Sequence, residues 1–206
     1  MNIDDVDAGE NPIKSLEDIF AHQRELYLKY KKMEGMDWEG DTVNIHTLKG
    51  QKWLKDMLWR TTEELAESFE AHISNDENGE KHAIEELADA LHFFIEFCIL
   101  AGITPEDLFS LESLDPELGI VGEHQSVISQ YWHATYALGL IGNTLKNKPW
   151  KKHQMKTDEN KFKDLTKRAF IELIDCFFIH KVKPEGIYDF YFRKNAVNQF
   201  RQRSNY

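Results

Sequence analysis

The chain has 206 residues, 41% hydrophobic and 12% aromatic, with only 11 glycines and 5 prolines. A chain of this length buries roughly 70% of its unfolded surface, so it needs no disulfide or structural metal to fold, and its scarcity of glycine and proline argues against a loop-rich all-β or low-complexity chain. The 36 acids against 25 Lys plus Arg give a formal charge of −11, which excludes duplex nucleic acid as a partner of the whole surface.

Residues 1–14 read as a flexible acidic tail, and MNIDDVDAGENP is neither a signal peptide nor an Arg-rich transit peptide. A single all-α domain is predicted over 15–206, as a bundle of antiparallel helix pairs with a pseudo-duplicated half (two similar halves, about 15–110 and 125–206). Helical periodicity runs from Ser15 to about Met33 through Ile19, Phe20, Leu26, Tyr27 and Tyr30. Residues 34–46 read as a loop. A long helix follows from about Leu48 to Ile73, striped by Leu54, Met57, Leu58, Leu65 and Phe69. SNDENGE at 74–80 breaks it, and the next helix runs from about Lys81 to Leu100, with Gly102 as its stop. Thr104-Pro105-Glu106-Asp107 has the form of another helix start. After a loop at 111–124, helices fit Ser126 to about Leu145, Lys161 to about His180, and from Pro184 onward. No alternating strand pattern and no apolar run of membrane-spanning length occurs, so no membrane partner is expected. Cys98 and Cys176 fall in apolar helical runs and read as buried free thiols of a reducing compartment, which points to the cytoplasm.

Two short motifs carry the chemistry: Glu64-Leu65-Ala66-Glu67 and Glu86-Leu87-Ala88-Asp89. The i, i+3 spacing sets both acids of each motif on one helix face. Glu67 and Glu86 stand equally far from the turn at 74–80, at 1.5 Å per residue, so an antiparallel hairpin brings them level, with Glu64 and Asp89 one turn higher. Four carboxylates then converge beside apolar surface continued by Phe93 and Phe97. Burying them uncompensated costs several kcal/mol each, and a hard divalent cation, Mg²⁺ with Mn²⁺ as a substitute, is the natural partner. Glu63 and Glu85 fall off this line and read as surface acids.

IEELADALHFF at 84–94 is echoed by FIELIDCFF at 170–178, pairing Glu86 with Glu172 and Asp89 with Asp175. Between His124 and Thr157 there is no acid, so the second half lacks partner carboxylates; Glu172 and Asp175 read as structural, and one metal site is expected. The last helix has no acid after Asp189 but carries Arg193, Lys194, Arg201 and Arg203 with Asn195, Asn198 and Gln202, which suits an anionic ligand. Lys148, Lys151 and Lys152 around Trp150 form a second basic cluster. The 9 histidines show no zinc-ligand spacing and read as packing or surface residues. Trp53, Trp59, Trp132 and Tyr136 offer aromatic surface to a second copy or to the core.

On these residues the chain resembles the all-α NTP pyrophosphatase superfamily (MazG-like), and within it the dimeric dUTPases and the related dCTPases of T-even-type phages. HQREL around Gln23, EELAES, EELADALHFF, KPWKK and the closing YFRKNAVNQFRQRSNY carry the likeness. The last is similar to the family pattern Y-x-x-K-N-x-x-N-x-x-R-Q-x-x-G-Y, with Asn205 in place of the glycine. The resemblance implies hydrolysis of a deoxypyrimidine triphosphate to the monophosphate and pyrophosphate. By it, Glu64, Glu67, Glu86 and Asp89 hold Mg²⁺, and Glu64 or Glu67 is the catalytic base. Lys194, Asn198, Arg201 and Gln202 belong to the substrate-binding set, Gln23 and Asn195 read the base edge, and Phe93 stacks on the ring. A homodimer is implied. The expected reaction is dUTP hydrolysis; dCTP, both nucleotides, or a catalytically silent nucleotide-binding helical protein are the alternatives.

Overall fold

The computed structural model describes all residues except 8, 10, 34–37, 75, 115–125 and 204–206. Among the described residues the architecture is all-helical, without strands: α1 (Leu16–Met33), α2 (Leu48–Ile73), α3 (Gly79–Ala101), α4 (Val127–Thr144), α5 (Glu159–Ile179) and α6 (Pro184–Arg203). Three 3-10 turns accompany them, at Ile3–Asp5, Pro105–Asp107 and Glu112–Leu114. The helix start expected at Thr104 is thus a single 3-10 turn, closed by the Thr104 backbone N–H on Asp107 Oδ2 at 3.0 Å. No single described helix is long and apolar enough to cross a membrane.

The core is built around α3. Its C-terminal half, from Leu91 to Leu100, is apolar on nearly every face apart from His92 and Glu96, and such a helix is stable only when surrounded. It packs against α2, α1, α5 and α6, with Leu87, Ala90, Leu91, Phe94, Ile95, Phe97 and Cys98 fully buried. α2 and α3 form one helix pair and α4 and α5 a second, joined through contacts of α2 with α4 and of α3 with α5. Each amphipathic stripe foreseen in the sequence faces this core. Cys98 and Cys176 are buried free thiols.

The tight α2–α3 turn sets the register of the site. Ser74 ends α2, its N–H bonding Glu70 O and Ala71 O and its hydroxyl donating to Ala71 O at 2.7 Å. α3 restarts at Gly79, where a Cβ would sit 2.7 Å from Ala71 O and 2.8 Å from Ser74 Oγ. Only glycine lets the first turn of α3 approach the last turn of α2 this closely. At the far end of α3, Gly102 adopts φ +72° and donates its N–H to Ile99 O at 3.1 Å, the left-handed stop read from the sequence.

The segment expected to be a tail is anchored in its described residues. Ile3, Val6 and Ile13 are buried, Arg193 Nη1 donates to Val6 O at 3.1 Å, and Lys81 pairs with Asp4. Three apolar residues among acids give little periodic signal, yet each one buried is worth about 1.5–3 kcal/mol.

The second helix pair, α4 and α5, carries Glu172 and Asp175 in a different setting. Gln130 of α4 donates from Nε2 to Glu172 O and Oε2 at 2.9 and 3.2 Å, so an amide stands where the first pair has more carboxylate. Asp175 is buried, and its Oδ1 has no hydrogen-bond partner among the described residues. Burial, and then the neighbouring Glu172, push the Asp175 carboxyl up to about 7, so its neutral form is the one that fits the core. No third acid gathers on this pair among the described residues, in line with a single acidic cluster in the chain's first half.

Candidate active site

The α2–α3 register brings Glu64, Glu67 and Glu86 together, with one carboxylate oxygen from each lying within 4.8 Å of the others. Asp89, placed on the same line by spacing, is drawn aside. Its Oδ2 lies 2.6 Å from Lys194 Nζ of α6, with both side chains largely shielded from solvent. Asp89 is also the charge that acts most strongly on Glu64, so the fourth acid stands beside the other three while pairing with a cation from α6 that no local pattern in α2 or α3 reveals. Burial opposes the charge on Lys194, but Asp89, then Glu86 and Glu85, raise its pKa above the ordinary lysine value. Glu85 is half-buried between Lys81 and Lys194 rather than a free surface acid, and burial raises its carboxyl pKa.

The shortage of positive charge falls most heavily on Glu64. Burial first, then Asp89, Glu86 and Glu67, push its carboxyl up to about 8. At neutral pH without a counter-cation this acid holds a proton. An all-oxygen set of three carboxylates that keeps a proton for want of positive charge fits a hard divalent cation, which replaces that proton with two charges.

Beside Glu64 and Asp89 a cavity of about 250 Å³ opens between α1, α2, α3 and α6. Gln23, Phe93, Asn198 and Arg201, four of the residues singled out in the sequence, line it. Lys194, Asn198 and Arg201 recur at i, i+4 and i+7, so one face of α6 presents all three. Asn195 and Gln202 lie off this cavity. The buried Asn195 accepts the Gln199 amide at Oδ1 (2.8 Å), and Gln202 Nε2 donates to Leu26 O at 3.5 Å. Trp150 and the lysines around it are also elsewhere: Trp150 is exposed, and Lys148 and Lys151 border a separate depression near Leu145.

Three cavity residues escaped the sequence reading: Arg60, His92 and Glu96. Arg60 is one turn before Glu64 on the same face, and its guanidinium lies 5.6 Å from the centroid of the Phe93 ring; that i, i+4 spacing was the available signal. His92 and Glu96 sit one and two turns beyond Asp89. His92 Nδ1 lies 2.7 Å from Ala88 O. A carbonyl only accepts, so Nδ1 carries the proton and Nε2 is a lone pair, without a partner among the described residues. Burial holds the ring neutral, with its pKa lowered to about 4. The ring stacks on Tyr191 at 3.9 Å. Tyr191 donates to Gln23 Oε1 at 2.8 Å, and Gln23 Nε2 donates to Glu96 Oε2 at 3.0 Å. Burial keeps the Tyr191 phenol protonated, so the orientation of the Gln23 amide is fixed by its two neighbours.

A family model described as dUTPase matches residues 15–206. No curated protein and no solved structure matches the chain.

Filling of the acidic cluster displaces the proton that Glu64 holds. Calorimetric titration of Mg²⁺ at about pH 7, in buffers of different ionisation enthalpy, is expected to show release of about one proton per chain. Release vanishes when the pH is raised well above the Glu64 value of about 8. Binding without proton release at neutral pH contradicts this description of the cluster.

Proposed function

Because the chain belongs to the dUTPase family and is a nucleoside triphosphate pyrophosphohydrolase, we propose that it hydrolyses dUTP to dUMP and pyrophosphate in this cavity. Mg²⁺ is held by Glu64, Glu67 and Glu86, with Asp89 at the edge of the set. The observation that carries the reading is the meeting of three acids with too little positive charge, at one end of a cavity that also displays Arg201, Asn198 and an amide–imidazole pair.

When bound, the metal neutralises the triphosphate and lowers the pKa of a coordinated water. Glu64, on the cavity wall, orients the attacking water and accepts its proton. Lys194 holds Asp89 in place through their 2.6 Å contact. Asn198 and Arg201 donate to phosphate oxygens, so the charge that develops in the transition state meets donors already in place. Arg60 brings a further cation from α2.

At the other end, Gln23 has spent one N–H on Glu96 and keeps a second, and His92 Nε2 holds a buried lone pair without a partner among the described residues, which a base would reach after a small opening of the cavity wall. A donor beside an acceptor complements a uracil carbonyl beside the ring N3–H. The same pair also meets the ring nitrogen and amino group of cytosine, and this keeps dCTP as the second reading. Phe93 supplies the stacking surface. Net charge −11 disfavours duplex nucleic acid, and the buried free thiols agree with action in the cytoplasm.

The same reading takes the chain as a homodimer. Trp59 on α2 and Ile128, Trp132 and Tyr136 on α4 are all exposed, Trp59 and Trp132 by 62% and 65%, and a second copy covers them. Trp53 is not part of this surface, since it packs on Trp38 with ring centroids 5.2 Å apart.

Pyrophosphate release from dUTP, dCTP, dTTP, dATP, dGTP and UTP tests the reaction. Release from dUTP is expected to exceed that from the purine nucleotides and UTP, and to fall roughly 1000-fold or more in Glu67→Gln. Preference for dCTP selects the second reading, and no release from any nucleotide by folded, Mg²⁺-supplied protein overturns both. Sedimentation is expected to give a dimer for the native chain and a monomer for Trp132→Arg; a native monomer contradicts the assembly.

A further inference from the structure

A second group of metal-ligating side chains lies apart from the acidic cluster and shares no residue with it. His72 near the end of α2, Glu80 in the first turn of α3 and His180 at the end of α5 place one ligand atom each within 4.8 Å of one another. Glu80 holds both rings: Oε1 is 2.7 Å from His180 Nδ1 and Oε2 is 3.0 Å from His72 Nδ1. The His180 side chain is fully buried, His72 is 28% exposed and Glu80 is 56% exposed, so the group opens to solvent on the Glu80 side.

The hydrogen-bond chain behind His180 fixes where its protons are. Ser68 Oγ lies 2.7 Å from Ala83 O, and a carbonyl only accepts, so the Ser68 proton points there. Tyr131 OH, 2.6 Å from Ser68 Oγ, must then donate to Ser68. With its single proton spent, Tyr131 accepts from His180 Nε2 at 2.8 Å. His180 therefore carries a proton on Nε2 and turns Nδ1 to Glu80. A lone pair on Nδ1 facing an ionised carboxylate is repulsive, so a cation must lie between them: a proton or a metal ion. Burial opposes the Glu80 charge, but the hydrogen bonds from His180 and His72 outweigh it and hold the carboxyl below its ordinary range.

We propose that His72 Nδ1, Glu80 and His180 Nδ1 form a site for a zinc-class transition ion, with a fourth, solvent-facing position for water. Two donors on one tetrahedral zinc ion are separated by about 3.3 Å, from bond lengths of about 2.0–2.1 Å. The observed contacts, 2.7 Å from Glu80 Oε1 to His180 and 3.0 Å from Oε2 to His72, widen by roughly 0.3–0.6 Å to reach this spacing, and the histidines, whose ligand atoms lie within 4.8 Å of each other, close onto the same ion. The far side of His180 already has the feature that ligating imidazoles require: its other ring nitrogen donates to an oxygen, here Tyr131, which fixes tautomer and ring direction. Binding replaces the protons on the two Nδ1 atoms and ties the ends of α2, α3 and α5 together. The ion is a staple between the two helix pairs, separate from hydrolysis.

The full chain, freed of metals by a chelator and returned to excess Mg²⁺ to fill the acidic cluster, is titrated with Co²⁺ and then Zn²⁺. One Co²⁺ per chain with the intense visible absorption of tetrahedral, imidazole-bound cobalt is expected, and Zn²⁺ abolishes the band. Zn²⁺ at about 100 times its dissociation constant raises the melting temperature by roughly 5 °C or more. His72→Ala and Glu80→Gln, changes at solvent-accessible positions, are expected to lose the band and the zinc-dependent rise while keeping Mg²⁺-supported pyrophosphate release. Glu67→Gln keeps the band. Absence of the band in the native chain, its survival in both His72→Ala and Glu80→Gln, or its loss in Glu67→Gln overturns the proposal.

Discussion

Three carboxylates from two adjoining helices, drawn within 4.8 Å of one another, are the constraint on which the rest of this structure depends. Such a group opposes folding unless something offsets its charge. The chain does so incompletely. Lys194 binds Asp89, the exposed His82 lies 2.9 Å from Glu86 Oε1, and Glu64 is left with a proton that ordinary carboxyls lose well below neutrality. On the reading proposed above, a divalent cation would fill this deficit of positive charge, and a polyanionic substrate would bind only together with that cation.

Holding that arrangement requires rigid neighbours. The apolar C-terminal half of α3 is enclosed by α1, α2, α5 and α6 and fixes the helix carrying Glu86 and Asp89. Gly79 allows the close α2–α3 approach that levels Glu67 with Glu86. α6 then crosses α3 and α1, bringing Lys194 to the acids and Asn198 and Arg201 to the cavity, while Arg193 clasps the N-terminal segment through Val6 O. The second helix pair gathers no third acid among the described residues. Gln130 sits on Glu172, and Asp175, its carboxyl pushed up to about 7, is accommodated as a buried acid.

The helices, their pairing and the level of Glu67 with Glu86 were legible because each is a matter of local spacing: period 3.6 for the stripes, i, i+3 for the acid pairs, and distance from one turn. The pairing of Asp89 with Lys194 was not legible, since no periodicity on α3 reports what α6 brings to it. The floor of the cavity was hidden for the same reason. Gln23 was singled out only through the family resemblance, while Glu96, His92 and Tyr191, from two other helices, each read alone as a solitary polar or aromatic residue. Arg60 was within reach, one turn before Glu64 on the same face. The anchoring of Ile3 and Val6 was masked by the acids around them. His72 and His180 have no ligand spacing in sequence because they meet only where the two helix pairs join.

The central claim is that the acidic cluster has too little positive charge around it, which keeps a proton on Glu64 until a cation replaces it. The raised carboxyl sets the sign: its contribution is fully present below the ordinary value of 4.5 and is lost as pH rises through about 8. Melting temperatures of the native chain and Glu64→Gln, recorded in chelator across that window, are the most direct test. The account predicts that the native curve falls toward high pH, that the Glu64→Gln curve falls less and lies above it there, and that Mg²⁺ raises the native chain far more than the variant. Parallel curves, or a variant less stable at every pH, would contradict it.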